Sequence, residues 1–414
     1  MPFKDRCIPA SPLCRVLFAA LITVSFGAGA ASPVTFVARQ AVDGDVFGTT
    51  VAIDDGRVAV GASSTDLERD DVGAVYLFDR TGGGIAPAAM LQASDGELAD
   101  GFGASVAVSG DTVLVGAPGV VLSELNEGAA YLFERKGGAW TPVAKLRRDT
   151  VGKNDMAGVA VALDGGVAAI GAPGADVVGE DSGVVLVYER GEGGWTKTAS
   201  LTPKSAGERF GSAVAVDGDR ILVGASGDVP AKETTGSAYV FGRRDSGWEQ
   251  AARLTPSDGG GGDGFGDAVA LAGDWALVGA RFADLDGSDE GAAYVFGRTG
   301  EGWSEIAKLT APEPADRDQF GHAVALAGDI AVVGAPRVDE PGRDSGAVWT
   351  FAPGDDGWRL STRLSPSAPD TYDEFGSAVA AGQGAVVVGA PQDIPADADG
   401  EVVTGTATLF PAVH

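Results

Sequence analysis

The stretch "DGFGDAVALAGDWALVGAR", Asp263 to Arg281, decides how this chain is read, because its phrasing returns seven times in 414 residues. It carries two marks, Phe-Gly and Gly-Ala, and the distance between them never changes. Phe47-Gly48 leads to Gly61-Ala62, Phe102-Gly103 to Gly116-Ala117, Phe210-Gly211 to Gly224-Ala225, Phe265-Gly266 to Gly279-Ala280, Phe320-Gly321 to Gly334-Ala335, and Phe375-Gly376 to Gly389-Ala390. The third copy, Ala157-Gly158 to Gly171-Ala172, keeps the spacing without the aromatic. The step from one copy to the next is likewise constant, save for the slightly shorter one from Ala157 to Phe210. So regular a period marks units that bury their apolar faces against one another. The length therefore describes one repeat domain rather than three independent ones.

Within each copy the pattern predicts four short strands. Apolar runs flank Ala272-Gly273-Asp274-Trp275, and the equivalents read Ser109-Gly110-Asp111-Thr112 and Asp217-Gly218-Asp219-Arg220. Adjacent Gly and Asp supply the positive backbone angles of a two-residue hairpin. A third run follows ("GAAYVFGR" from Gly291), then a Gly-rich turn and a fourth run ("GWSEIAKL" from Gly302). Four strands per copy in a radial array make a propeller blade, so the expected fold is all-β, a seven-bladed β-propeller. In "FGSAVAV" from Phe210, large and small residues alternate, so each blade should set a large face against its neighbour's small one. Such a strand should be innermost and buried on both sides.

The chain stops after the third strand of the seventh copy, at "GTATLFPAVH". The missing strand is found at the other end. Phe36 stands as far before Phe47 as Leu91 before Phe102, Leu254 before Phe265, Leu309 before Phe320 and Leu364 before Phe375. "SPVTF" from Ser32 should thus complete the last blade and remove an open edge.

Upstream of Ser32, Lys4, Arg6 and Arg15 precede the apolar run Val16 to Ala30, with Ala28 and Ala30 as the small residues of a cleavage site before Ala31. Residues 1–30 read as a secretory signal peptide and 31–414 as the propeller. The run is short for a membrane span; an uncleaved anchor is the competing reading. Cys7 and Cys14, the only cysteines, lie in this leader, so the mature chain has neither disulfide nor thiol chemistry. The expectation is a soluble, monomeric, exported protein, periplasmic or extracellular.

The net charge is -28. In an up-and-down meander, the loops after each Gly-Ala mark and those before each Phe-Gly mark point to one end of the ring. Those loops hold 38 of the 58 acidic residues and 12 of the 30 basic ones, about -26 on one end. Such a surface repels nucleic acid and anionic membrane. Long loops on a rigid scaffold are where binding residues usually sit; plain solubility is the other explanation of the acids.

The Phe-Gly marks, and Gly-Ala-Pro completed at Pro118, Pro173, Pro336 and Pro391, resemble the FG-GAP repeats of the integrin alpha-subunit headpiece. "KLTAPEPADRDQFGHAVALAGDIAVVGAP" is similar to the short FG-GAP repeats of secreted bacterial proteins. The resemblance spans residues 32–414 and implies a propeller that captures ligands on the end found acidic above. Several integrin repeats bind calcium between the two marks. Here tight hairpins such as Ala327-Gly328-Asp329-Ile330 occupy that place, so that site does not carry over.

Three kinds of residue remain as candidates. Asp284, Asp286, Asp289 and Glu290 around Gly287 form a compact acidic cluster that could supply calcium oxygens, with "DADGE" from Asp397 a thinner second; a solvated acidic turn gives the same pattern. For catalysis there are only His322, placed in a first strand with Asp267 one blade earlier, and the terminal His414; no nucleophile elbow, zinc motif or phosphate loop is present. No catalytic residue is assigned. Trp140, Trp195, Trp248, Trp303 and Trp358 recur at the start of the fourth strand, where they could stack on sugars or pack blade edges. The reading that follows is a secreted, non-catalytic adhesion module taking a protein or cation-bridged ligand on its acidic loops; a carbohydrate-binding propeller is the alternative.

Overall fold

The two marks make sense once the blades are set side by side. In the computed structural model, which describes residues 32–38, 46–54, 56–63, 72–81, 84–97, 99–150, 152–227, 234–300, 302–366, 370–382, 384–391 and 405–411, seven antiparallel sheets of four strands form a ring. The leader and the acidic stretch from Asp397 lie outside the described residues. Blade five runs Ala268–Ala272, Trp275–Ala280, Ala292–Thr299 and Gly302–Leu309, and the other blades repeat that order. The first strand of each blade lies beside that of the next, and Phe47–Asp54 meets Ala378–Gly382 to close the circle.

Closure occurs as the spacing predicts. The strand Val34–Phe36 pairs antiparallel with Thr406–Pro411 in the register Val34 to Leu409, Thr35 to Thr408 and Phe36 to Ala407. The seventh blade is therefore built from both ends of the ring's chain, and the edge of Thr406–Pro411 is paired rather than left open to another strand.

The glycines of the two marks meet between blades. A Cβ on Gly171 would fall on the carbonyl oxygen of Gly211, and the same collision recurs for Gly61 with Gly103, Gly116 with Gly158, Gly224 with Gly266, Gly279 with Gly321, Gly334 with Gly376, and Gly389 with Gly48. The second glycine of each pair sits at φ between 91° and 100°, a conformation L side chains rarely adopt. Seven such seams, the last joining blade seven to blade one, make the backbone itself the contact surface. The aromatic of the first mark is fully buried in six blades and stacks edge-on to the third strand, as Phe265 does on Tyr294 at 5.5 Å and Phe296 at 6.0 Å. Blade three lacks both members of the first contact: Ala157 replaces the phenylalanine, and Leu186 stands where five of the others place tyrosine or tryptophan and blade seven places Thr408.

Large does meet small between blades: Val324 and Leu326 of blade six pack on Ala268, Ala270 and Ala272 of blade five. Three details differ from expectation. The first strand is innermost but only partly buried, as in Phe210–Asp217, because its inner edge faces the central channel; the fully buried strand is the second, as in Val167–Ala172. The register also shifts between Phe210 and Ala213, since Gly211 turns left-handed there, so the Phe-Gly pair does not share the alternation that follows it. The hairpin turn differs too: only its glycine has positive φ, 54° at Gly273, which is the II′ arrangement rather than one using both residues.

Candidate functional site

The two loop sets that the strand order assigns to one end are stitched together there. Backbone amides of the inter-blade loops donate to carbonyls of the long loops: Asn154 to Leu125, Gly207 to Glu180, Gly262 to Thr234, Arg317 to Ser288 and Tyr372 to Arg343. The opposite end is knitted separately by its hairpins, where the Gly218 amide donates to Asp164 of the preceding blade at 2.7 Å and Gly273 to Asp217 at 2.9 Å.

Many of the acids on the loop end serve the loops themselves. The residue before the glycine that opens the third strand is a buried cap: Glu127, Ser182, Glu290 and Ser345. Glu290 Oε2 accepts the amides of Leu285 and Gly287, both at 2.8 Å, and Ser182 Oγ accepts those of Val177 and Val178. A second device holds the tip of the same loop. Asp176, Asp284 and Asp339 each accept an amide from further along the turn, Asp181 at 2.8 Å, Asp289 at 2.9 Å and Asp344 at 2.9 Å. The donating residues have φ of 46°, 55° and 50°, as does Asn126 at 54° in blade two. Asn and Asp tolerate that left-handed state better than other side chains.

These roles place the predicted calcium residues. Asp284, Asp289 and Glu290 lie on one turn as staple, left-handed residue and buried cap, while Asp286 is exposed. Among the described residues no three His, Cys, Asp or Glu side chains come together so as to hold a metal ion.

A third device was legible in the sequence and missed. An acid stands just ahead of every first mark, one residue intervening: Asp45, Asp100, Asp155, Glu208, Asp263, Asp318 and Asp373. Asp45 lies outside the described residues. Five of the others are buried and accept a backbone amide from just upstream: Asp100 from Glu97, Asp155 from Gly152, Asp263 from Gly260, Asp318 from Ala315 and Asp373 from Asp370, at 2.6–2.9 Å. Burial pushes the carboxyls of Asp100, Asp155 and Asp263 up from the usual range despite these bonds. Asp318 goes furthest, to about 6, through burial and the negative charges of Asp339 and Glu290.

A carboxyl with a raised folded-state pKa contributes stability below its unfolded value and loses it as pH rises through the folded one. For Asp318 that window runs from about 4 to about 6. Acidifying from about pH 7.5 to about pH 5 should therefore raise the melting temperature. Asp318→Asn, which keeps an acceptor for the Ala315 amide, should flatten part of that rise. A carboxyl displaced across the whole window corresponds to at most about 3 kcal/mol. Parallel melting curves of the two proteins across this range would show the idea wrong.

His322 and Asp267 do not form a dyad. His322 precedes the first strand Ala323–Ala327, and Arg281 stands between the two groups, Nη1 3.3 Å from His322 Nδ1 and Nε 3.0 Å from Asp267 Oδ2. Burial, then the charges of Arg281 and Arg337, push the imidazole down to about 4. It is neutral at pH 7 and accepts from Arg281. His414 lies outside the described residues.

The five recurrent tryptophans are half-buried between blades. Trp195 Nε1 donates to Glu134 of the preceding blade at 3.4 Å, and Trp248 Nε1 to Glu189 at 3.1 Å. Trp358 stacks edge-on to Trp275 at 5.3 Å, and Arg57 lies 5.0 Å over the Trp140 ring. Inter-blade packing accounts for these contacts. Exposed apolar side chains occur on the long loops of blades two and three, where Val121, Leu125, Val177 and Val178 are 41–53% exposed, and on fourth strands at Val143, Ile306 and Leu360.

No helix among the described residues is long and apolar enough to cross a membrane. Among curated proteins none matches the chain at a significant level. A family model described as the FG-GAP repeat matches residues 34–78, 87–133, 140–188, 195–241, 248–296, 303–351 and 358–407. Each match begins in the fourth strand of one blade and ends in the third strand of the next, so sequence repeat and blade are out of step by one strand, as ring closure requires. The match covers seven repeats, each centred on the buried marks and the glycine seam, and the chain belongs to the FG-GAP repeat family.

Proposed function

We propose that this protein is an exported, non-catalytic binding module whose acidic loop end engages a protein partner with a basic surface. What supports the reading is the count of 38 of 58 acidic residues in the two loop sets that the strand order assigns to one end. Many of those carboxylates cap loops, yet Glu124, Glu180, Asp286 and Glu340 are exposed. The FG-GAP propeller is in general a non-enzymatic protein-binding fold, which supports the class of function but not the ligand. Export rests on residues 1–30, outside the described residues. The carbohydrate alternative loses ground where Trp195 and Trp248 spend their indole N–H groups on neighbouring blades.

The test is binding to immobilised basic polypeptides such as polylysine, alongside a glycan array. Neutralising Glu124, Glu180, Asp286 and Glu340 together should weaken binding by about tenfold or more and lower its salt dependence. A glycan signal lost with Trp303→Ala and untouched by the charge variant would reverse the assignment. Calcium at Asp284, Asp286, Asp289 and Glu290 stays a proposal resting on the oxygens the turn leaves unused. A calcium-induced rise in melting temperature that is larger in the wild type than in Asp286→Asn supports it; equal rises, matched by magnesium, mean general screening.

A further inference from the structure

Four blades place a cation just before the leucine that ends the fourth strand, over the aromatic of the third. Lys145 lies 4.9 Å over Tyr131, Arg253 5.7 Å over Tyr239, Lys308 5.5 Å over Tyr294, and Arg363 5.7 Å over Trp349. Blade three, which has Leu186 instead of the ring, has Ser200 instead of the cation. Three of the four cations have a carboxylate from the chain: Asp95 at 2.8 Å from Lys145, Asp258 at 2.7 Å from Lys308, and Glu340 at 3.8 Å from Arg363.

Blade four is the exception. The segment from Leu201 to Phe210 is shorter than its counterparts, and Ser205 stands as far past Leu201 as Asp95 past Leu91 and Asp258 past Leu254. Tyr239 instead donates its hydroxyl to Glu208 Oε2 at 2.6 Å. Arg253 donates through Nε and Nη2 to Ser237 Oγ, at 3.0 and 2.7 Å. Among the described residues no carboxylate comes within ion-pair distance of it. Beside this guanidinium opens a cleft of about 310 Å³ lined by Glu208, Thr234, Thr235, Ser237, Arg253 and Thr255, among others.

We propose that this cleft binds a small zwitterionic carboxylate of the α-amino-acid kind. The ligand's carboxylate takes the place that the chain's own aspartate fills in blades two and five, and the planar fork of Arg253 suits it. A simple anion would be opposed by Glu208 in the same cleft and by the acidic end as a whole. A ligand that brings its own ammonium group escapes that opposition and gives Glu208 a cationic partner beside the Tyr239 hydroxyl. The volume lies at the low end of small-molecule sites, which run from about 300 to 1,000 Å³. The site is independent of whether the acidic end binds a protein.

The experiment is calorimetric titration of the purified protein with each standard amino acid and with acetate, repeated on Arg253→Gln, Arg253→Lys and Glu208→Gln. At least one amino acid should bind saturably to the wild type. Arg253→Gln should weaken it by about tenfold or more, the size of a charge-assisted bond. Arg253→Lys, which keeps the charge and the packing on Tyr239, should retain part of the affinity and guards against a folding artefact. Glu208→Gln should weaken the amino acid, and acetate should not bind. Absence of saturable binding to the wild type, equal affinity in Arg253→Gln, or acetate binding as tightly as any amino acid would each overturn the proposal.

Discussion

Gly171→Ala should destabilise the ring by about 3 kcal/mol or more, the upper range of overpacking costs. The added methyl would lie on the Gly211 carbonyl, which belongs to backbone rather than to a side chain that could rotate away. Gly211 cannot retreat freely, because its own φ of 94° is held by the turn that begins blade four. Blades three and four would have to separate, exposing Val167, Ala169 and Val185 that pack against Phe210 and Val223. Gly193→Ala is the control, since a Cβ there meets nothing within 4 Å, and it should stay within about 0.5 kcal/mol of wild type. Urea unfolding of the two variants decides the matter. Equal midpoints would mean that the seam glycines are placed for local turn geometry alone.

Removing residues 32–38 should cost more than any single core truncation. Phe36 is 8% exposed and lies 4.8 Å from the Phe78 ring and 6.4 Å from Phe47, so the strand joins blade seven to blade one as well as completing its own sheet. Phe36→Ala alone should lose about 3–5 kcal/mol. The full deletion adds the loss of the pairing to Thr406–Pro411 and leaves that strand as a bare edge open to aggregation. In a closed ring every blade has two neighbours, so the damage should appear as a lower midpoint for the whole cooperative transition. A deletion variant that melts with the wild type and stays monomeric would sink this account.

Much of the fold could be read from one chain because its signals are local and repeated. The constant spacing between marks sets two strands and a hairpin, and Phe36, as far ahead of Phe47 as Leu91 is of Phe102, reveals the displaced strand. The meander then follows, and with it the assignment of the two long loop sets to one end, since successive antiparallel strands send alternate turns to opposite ends. The acids just ahead of each mark were equally regular, but they were hidden inside the net charge of -28 until the structure showed Asp100, Asp155, Asp263, Asp318 and Asp373 buried and bonded to backbone.

What only the tertiary structure decided are the contacts made between blades, across a whole repeat of sequence. Composition alone cannot say that Gly171 is glycine because Gly211 approaches it, or that Trp248 is spent on Glu189. Nor can spacing show that Arg281 stands between His322 and Asp267, or that Asp284 accepts the amide of Asp289 in its own loop. Arg253 is the sharpest case. Its sequence position matches that of Lys145 and Lys308, and the structure shows that those lysines meet Asp95 and Asp258 while among the described residues no carboxylate pairs with Arg253, which bonds Ser237 instead. Secondary structure and repeat order follow from backbone periodicity, which a sequence carries on its face. The fate of a polar side chain depends on which groups the closed ring brings within hydrogen-bond reach, and that is settled only when the blades pack.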